Sequence, residues 1–215
     1  MGDKMNREIL LNEVSTSLKT GDLILFHGIE TSSKLIELIE WSYWSHIGMV
    51  VLPKDIGLEG TEPLLWESTS SSDGLNDVIL GVPKNDGPML VSLAGRLTID
   101  STERFDTHFK VKYLSQSLQK DELTALKNCI LELHMRSFPS DAQMLTAYVE
   151  GRRQNIPASF DSLFCSQLTA MTFMAMNMLS KSYVANGYCP KDFDEQLNFP
   201  KLKAYQYFDG AKLKG

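Results

Sequence analysis

Cysteine is scarce in this chain. Cys129, Cys165 and Cys189 are the only three in 215 residues, and no two of them stand in a CxxC spacing. An odd number without paired spacing fits neither a disulfide framework nor a cysteine-rich zinc site, so at least one thiol is free. Basic runs are missing as well. The 21 lysines and arginines face 27 aspartates and glutamates, a formal charge of −6, whereas a phosphate-neutralising surface needs clustered Lys and Arg. Nucleic acid is therefore not the expected partner. Long apolar runs are also few. Only Ile9, Leu10 and Leu11 stand together before Asn12, too short for the core of a secretory signal. Asn6 occupies the place where a myristoylation signal has Ser or Thr. The expectation is a cytoplasmic protein. The uncharged stretch 162–180 approaches the length of a bilayer span, but Ser162, Ser166, Gln167, Thr169, Thr172, Asn177 and Ser180 interrupt it. It reads as a helix through a protein core, with no stable membrane insertion, and Met171, Met174, Met176 and Met178 as core filler.

What is present is ordinary globular composition, 43% hydrophobic and 22% charged, without a repeat or low-complexity tract. One domain over residues 1–215 is the expectation. Residues 22–27 form a β-rich run after Gly21, and Thr31 and Ser32 cap a helical stripe of Leu35, Ile36, Leu38 and Ile39. Residues 45–52 and 64–68 predict an antiparallel hairpin with a long loop, and further strands fall near 88–93, 108–114 and 204–208. Leu123, Leu126, Ile130 and Leu133 predict a helix over 121–134, which makes Cys129 a packing residue. Another helix is expected around 140–149, and irregular chain over 188–200. The polar run from Ser68 to Gly74 is of the kind that borders a site.

Cys165 opens the long uncharged helix. A thiol in a first helical turn feels the positive end of the dipole and unpaired amide hydrogens, which favour thiolate, and the same amides can hold an oxyanion. Position alone also suits a buried structural cysteine, since free Cys is among the most buried residue types. Of His27, His46, His108 and His134, His46 is the best placed base, because it begins a strand and its ring can face a cleft. His27 is the reserve. If Gly48 stands opposite Leu65 in the hairpin, His46 stands opposite Glu67, which could then hold the second ring nitrogen and fix the tautomer. A one-residue slip would defeat that pairing.

At these residues the chain resembles the circularly permuted, NlpC-like papain-fold peptidases and amidases typified by the YiiX and YaeF group. The likeness rests on Gly21 to Phe26, Ser45-His46-Ile47-Gly48, Glu67, Phe164-Cys165-Ser166-Gln167-Leu168 and Tyr188 to Phe193. It covers roughly residues 20–200, with His before Cys, the reverse of the usual papain order. Gln167 departs from the pattern, since many relatives carry Glu after the Cys-Ser pair. The resemblance implies an α+β fold of permuted papain-like type, a small antiparallel sheet or partial barrel packed on the helix bearing Cys165, with a helical insertion around 115–158. It implies Cys165 as nucleophile, His46 as base and Glu67 as orienting acid, with Trp41, Trp44, Ser45 and Ser166 as substrate contacts. No cofactor or metal is called for. The implied partner is a small peptide or amide substrate, cell-wall-type peptides being one class. Two alternatives stay open: a lipid acyl hydrolase or acyltransferase resembling lecithin retinol acyltransferase, and a catalytically silent binding module.

Overall fold

The structure is a computed structural model and describes residues 16–27, 43–100, 108–194 and 202–214. Its centre is a curled, half-barrel antiparallel sheet of six strands. These are β1 (Leu23–His27), β2 (His46–Val51), β3 (Leu64–Thr69), β4 (Gly87–Ser92), β5 (His108–Leu114) and β6 (Tyr207–Lys214). In space they run β4-β3-β2-β1-β5-β6. The inner strands are apolar on both faces because both faces are covered. Leu23, Leu25, Ile47, Met49, Val51, Leu64 and Trp66 project into one buried cluster. Their alternating neighbours Ile24, Phe26, Val50 and Leu65 project into the other, as the two-residue period of a strand requires.

Five helices lie among the described residues: α1 (Pro53–Ile56), α2 (Leu93–Asp100), α3 (Lys120–Leu133), α4 (Asp141–Gln154) and α5 (Cys165–Ala175). Helix α3 starts in a capping box between Gln119 and Glu122, and α4 in one between Ser140 and Gln143, each satisfying orphan amides at the helix start. Helix α3 buries Leu126, Cys129, Ile130 and Leu133 on one stripe, as the spacing predicts. Helix α5 packs against β2, β3 and α3 and is buried on nearly every side, which is why it carries no charge. It is shorter than 162–180: Met176 caps it, and Asn177 turns the chain at φ 57°. No helix among the described residues is long and apolar enough to cross a membrane.

Some expectations need correction. Helix α2 was not foreseen; its Leu93 and Leu97, four apart, pack into the second cluster. The last strand begins at Tyr207 rather than 204, because Ala204 holds a left-handed φ of 60°. Residues 188–200 contain a short 3-10 turn, Pro190–Phe193. The helical stripe at 35–39 lies outside the described residues.

The hairpin register is also corrected. Met49 pairs with Trp66, Val50 with Leu65 and Val51 with Leu64, so the ladder is shifted by two residues from one that sets Gly48 opposite Leu65. A two-residue shift keeps every side chain on its face, so the apolar pattern cannot choose between the two registers. Gly48 still meets Leu65, but diagonally: a β-carbon there would lie 2.7 Å from a Leu65 methyl.

Candidate active site

Three anchors set the start of α5. In the loop before it, Ser68 Oγ, one residue past Glu67, donates to Leu163 O at 2.5 Å. Phe164, the N-cap, packs with Met144, Tyr148 and Cys189. Further along, Trp66 Nε1 on β3 donates to Thr172 Oγ1 at 3.1 Å. Because Phe164 offers no side-chain cap, the first-turn amides keep the orphan donors that every helix start has. Cys165 sits in that turn, 4% exposed.

His46 is the first residue of β2 and pairs with Phe26 of β1, whose ring lies 5.3 Å away. The approach to it is pinned: Ser45 N donates to Phe26 O at 2.9 Å. Trp44 Nε1 donates to Asp194 Oδ2 at 2.7 Å, and Asp194 is in turn ion-paired to Lys110. His46 Nε2 is 2.7 Å from Glu67 Oε2. Cys165 lies close enough to the same ring to act on it electrostatically, and with Nε2 bonded to Glu67 the remaining ring nitrogen is Nδ1. Burial opposes charge on this imidazole, but the hydrogen bonds and charges of Cys165 and Glu67 outweigh it and push its pKa up to about 10.

Glu67 is fully buried, a costly place for a carboxylate. Its other oxygen, Oε1, accepts from Arg96 Nε at 2.8 Å and lies 2.7 Å from Arg96 Nη2. Burial pushes the Glu67 pKa up, yet the Arg96 charge and the His46 hydrogen bond more than reverse this and hold it below its ordinary value. Arg96 is held by Asp73 Oδ2, 2.8 Å from its Nη1. The structure therefore presents a hydrogen-bonded line of polar groups, His46, Glu67, Arg96 and Asp73, running from beside the start of α5 to a surface loop.

Arg96 and Asp73 were not anticipated. The available signals were the Leu93 to Leu97 spacing, which marks a helix, and the need of any buried Glu for a cation. Trp44, Ser45 and Ser166, expected as substrate contacts, are buried with polar atoms engaged internally: Ser45 Oγ and Ser166 Oγ donate to Phe26 O and Tyr188 O at 3.2 and 2.8 Å. Trp41 lies outside the described residues. His27, the reserve base, stacks on Tyr43 at 3.9 Å, and His134 Nε2 pairs with Asp77 Oδ1 at 2.9 Å. Burial pushes the thiols of Cys129 and Cys189 up to about 11 and about 12. Among the described residues no group of three or more His, Cys, Asp or Glu is placed to hold a metal ion.

No protein-family model and no curated protein matches the sequence. The fold does have a match among solved structures. The fold is similar to that of the metalloprotein yiiX from Escherichia coli O157:H7, DUF1105, with a TM-score of 0.52 and 15% identity over 92% of this chain and 98% of that one.

Proposed function

We propose that the chain is a cysteine hydrolase of peptide or amide bonds, built as a single permuted NlpC-like papain-fold domain over residues 1–215 with its helical insertion at 115–158. The observation that carries this reading is a buried imidazole hydrogen-bonded to a buried carboxylate and close to a helix-start thiol. In the reaction, His46 Nδ1 takes the Cys165 proton and the thiolate attacks the carbonyl carbon. First-turn amides of α5 stabilise the oxyanion, the C–N bond breaks, and the imidazolium gives its proton to the leaving amine. Water, deprotonated by His46, then attacks the thioester, releasing the acid and restoring the thiol. Glu67 fixes the tautomer and balances the imidazolium, and Arg96 keeps Glu67 ionised.

The similar structure from Escherichia coli is described as a metalloprotein. The described residues here do not form a ligand group for a metal.

The lipid-acyl reading has its own observation, a largely apolar 320 Å³ hollow lined in part by Cys129, Phe160, Met171 and Met174. Those α5 residues lie six and nine positions past Cys165, along the second half of the helix, which favours the amide reading. Release of p-nitroaniline from a short peptide anilide, compared with release of p-nitrophenol from a long-chain fatty-acyl ester, decides between them. Wild-type turnover of the anilide, abolished in Cys165→Ala, is expected. Turnover confined to the ester would transfer the mechanism to lipids, and turnover of neither would leave a silent binding module.

A further inference from the structure

An open cleft of 450 Å³ borders the first turn of α5, within the size range of small-molecule sites. One wall is a stripe of α4, Ala142, Thr146 and Glu150, spaced four apart so that they share a face. The lining continues through Gln167 of α5, and Pro157 and Ala158 form a further side. That side is held in place, because Asn186 accepts from Ala158 N at 3.1 Å and donates to Ile156 O at 3.0 Å. Glu150 supplies the only charge among the described residues of the wall.

Gln167 is the anomaly. It is 1% exposed, and its Nε2 is buried with no acceptor. An unpartnered buried donor lowers stability, and where one persists it needs an explanation.

We propose that this cleft binds a peptide segment carrying a free amine, with Gln167 Nε2 donating to a peptide carbonyl, Glu150 pairing with the ammonium, and small side chains packing on Ala142, Pro157 and Ala158. The proposal rests on the hydrolase reading and names the substrate class of that site. The Gln167 amide meets the carbonyl by turning about its last side-chain bond, a soft torsion. Gln167 and Cys165, two residues apart, project to different faces of α5, and it is Ser162 and Phe164 of the lining that bring the cleft to the helix start.

The test uses Cys165→Ala protein and alanyl-alanine methylamide as the probe, followed by amide NMR shifts. Shifts along 142–150 and 156–167 are expected. Gln167→Leu should weaken binding about three- to tenfold, the equivalent of one net hydrogen bond, while raising the melting temperature because an unpartnered donor is gone. Acetylating the probe amine, or Glu150→Gln, should weaken binding similarly, and Thr146→Trp, at an exposed position of α4, should block it. Shifts centred elsewhere, no binding, or affinity indifferent to Gln167→Leu and Thr146→Trp would overturn the proposal. Wild-type hydrolysis of short peptide amides with unchanged binding in those variants would sink the cleft and keep the hydrolase; cleft binding without turnover would do the reverse.

Discussion

His46 and Glu67 share a 2.7 Å hydrogen bond although they do not face each other across the hairpin. The β2–β3 ladder ends at Met49 and Trp66; beyond it His46 pairs only with β1 and Glu67 only with β4. Extending the ladder sets Gly48 opposite Glu67, so His46 is a diagonal neighbour on the same face, within reach of long side chains. Gly48 keeps that diagonal open, because any side chain there would collide with Leu65. Gly48→Val should therefore lower stability by roughly 1–3 kcal/mol through overpacking and loosen the His46–Glu67 bond. Urea unfolding checks the first effect, and the His46 ring nitrogen shifts the second; an unchanged midpoint would contradict this packing.

Arg96 is what makes Glu67 tolerable in the interior. Arg96→Met should lower stability by about 3 kcal/mol by leaving the buried Glu67 carboxylate with the His46 imidazolium as its one remaining cation among the described residues. Adding Glu67→Gln should recover much of the loss, and a double-mutant cycle measures the coupling. Additive losses would show that the two residues do not act together.

The pH dependence has two limbs of opposite sign. The His46 pKa is raised from 6.5 to about 10, so its contribution to stability is complete below pH 6.5 and is lost as pH rises toward 10. Glu67 is lowered from 4.5, so its contribution is present above that pH and is lost as pH falls through the folded value. Unfolding free energy measured from pH 3 to 10.5 should show both limbs, the upper one shallower in His46→Gln and the lower one in Glu67→Gln. An upper limb unaffected by His46→Gln would remove the imidazole from this account.

The three thiols should separate by reactivity. Cys129 and Cys189 are pushed up to about 11 and about 12 by burial, whereas Cys165 opens α5 beside the raised imidazole of His46. Iodoacetamide near pH 6.5 should alkylate Cys165 first, with His46→Gln slowing that step and leaving the other two unchanged. Peptide mapping reads the order, and equal labelling of the three would contradict it.

Much of this was legible in the sequence for reasons that also mark its limits. The runs at 22–27, 45–52 and 64–68 announce strands because both faces of the sheet are buried, and the Leu123 to Leu133 spacing announces α3 because only one face is. The shift of register left no trace, since displacement by two preserves the pattern. Arg96 stayed hidden because α2 offers only Leu93 and Leu97 as its apolar stripe, and because the partner of a buried Glu is set by tertiary packing rather than by spacing. The departure at Gln167 was visible as a residue type; its unpartnered amide and the cleft beside it were not.

The most direct test is the covalent intermediate. Wild-type protein mixed with short peptide amides and, separately, with fatty-acyl esters, then quenched and weighed intact, should gain the mass of the peptide acyl group on Cys165. Cys165→Ala should gain none, and Glu67→Gln should form the adduct about 10²- to 10⁴-fold more slowly. No adduct with either series, or an equal gain in Cys165→Ala, would contradict the assignment of Cys165, His46 and Glu67 to a cysteine hydrolase.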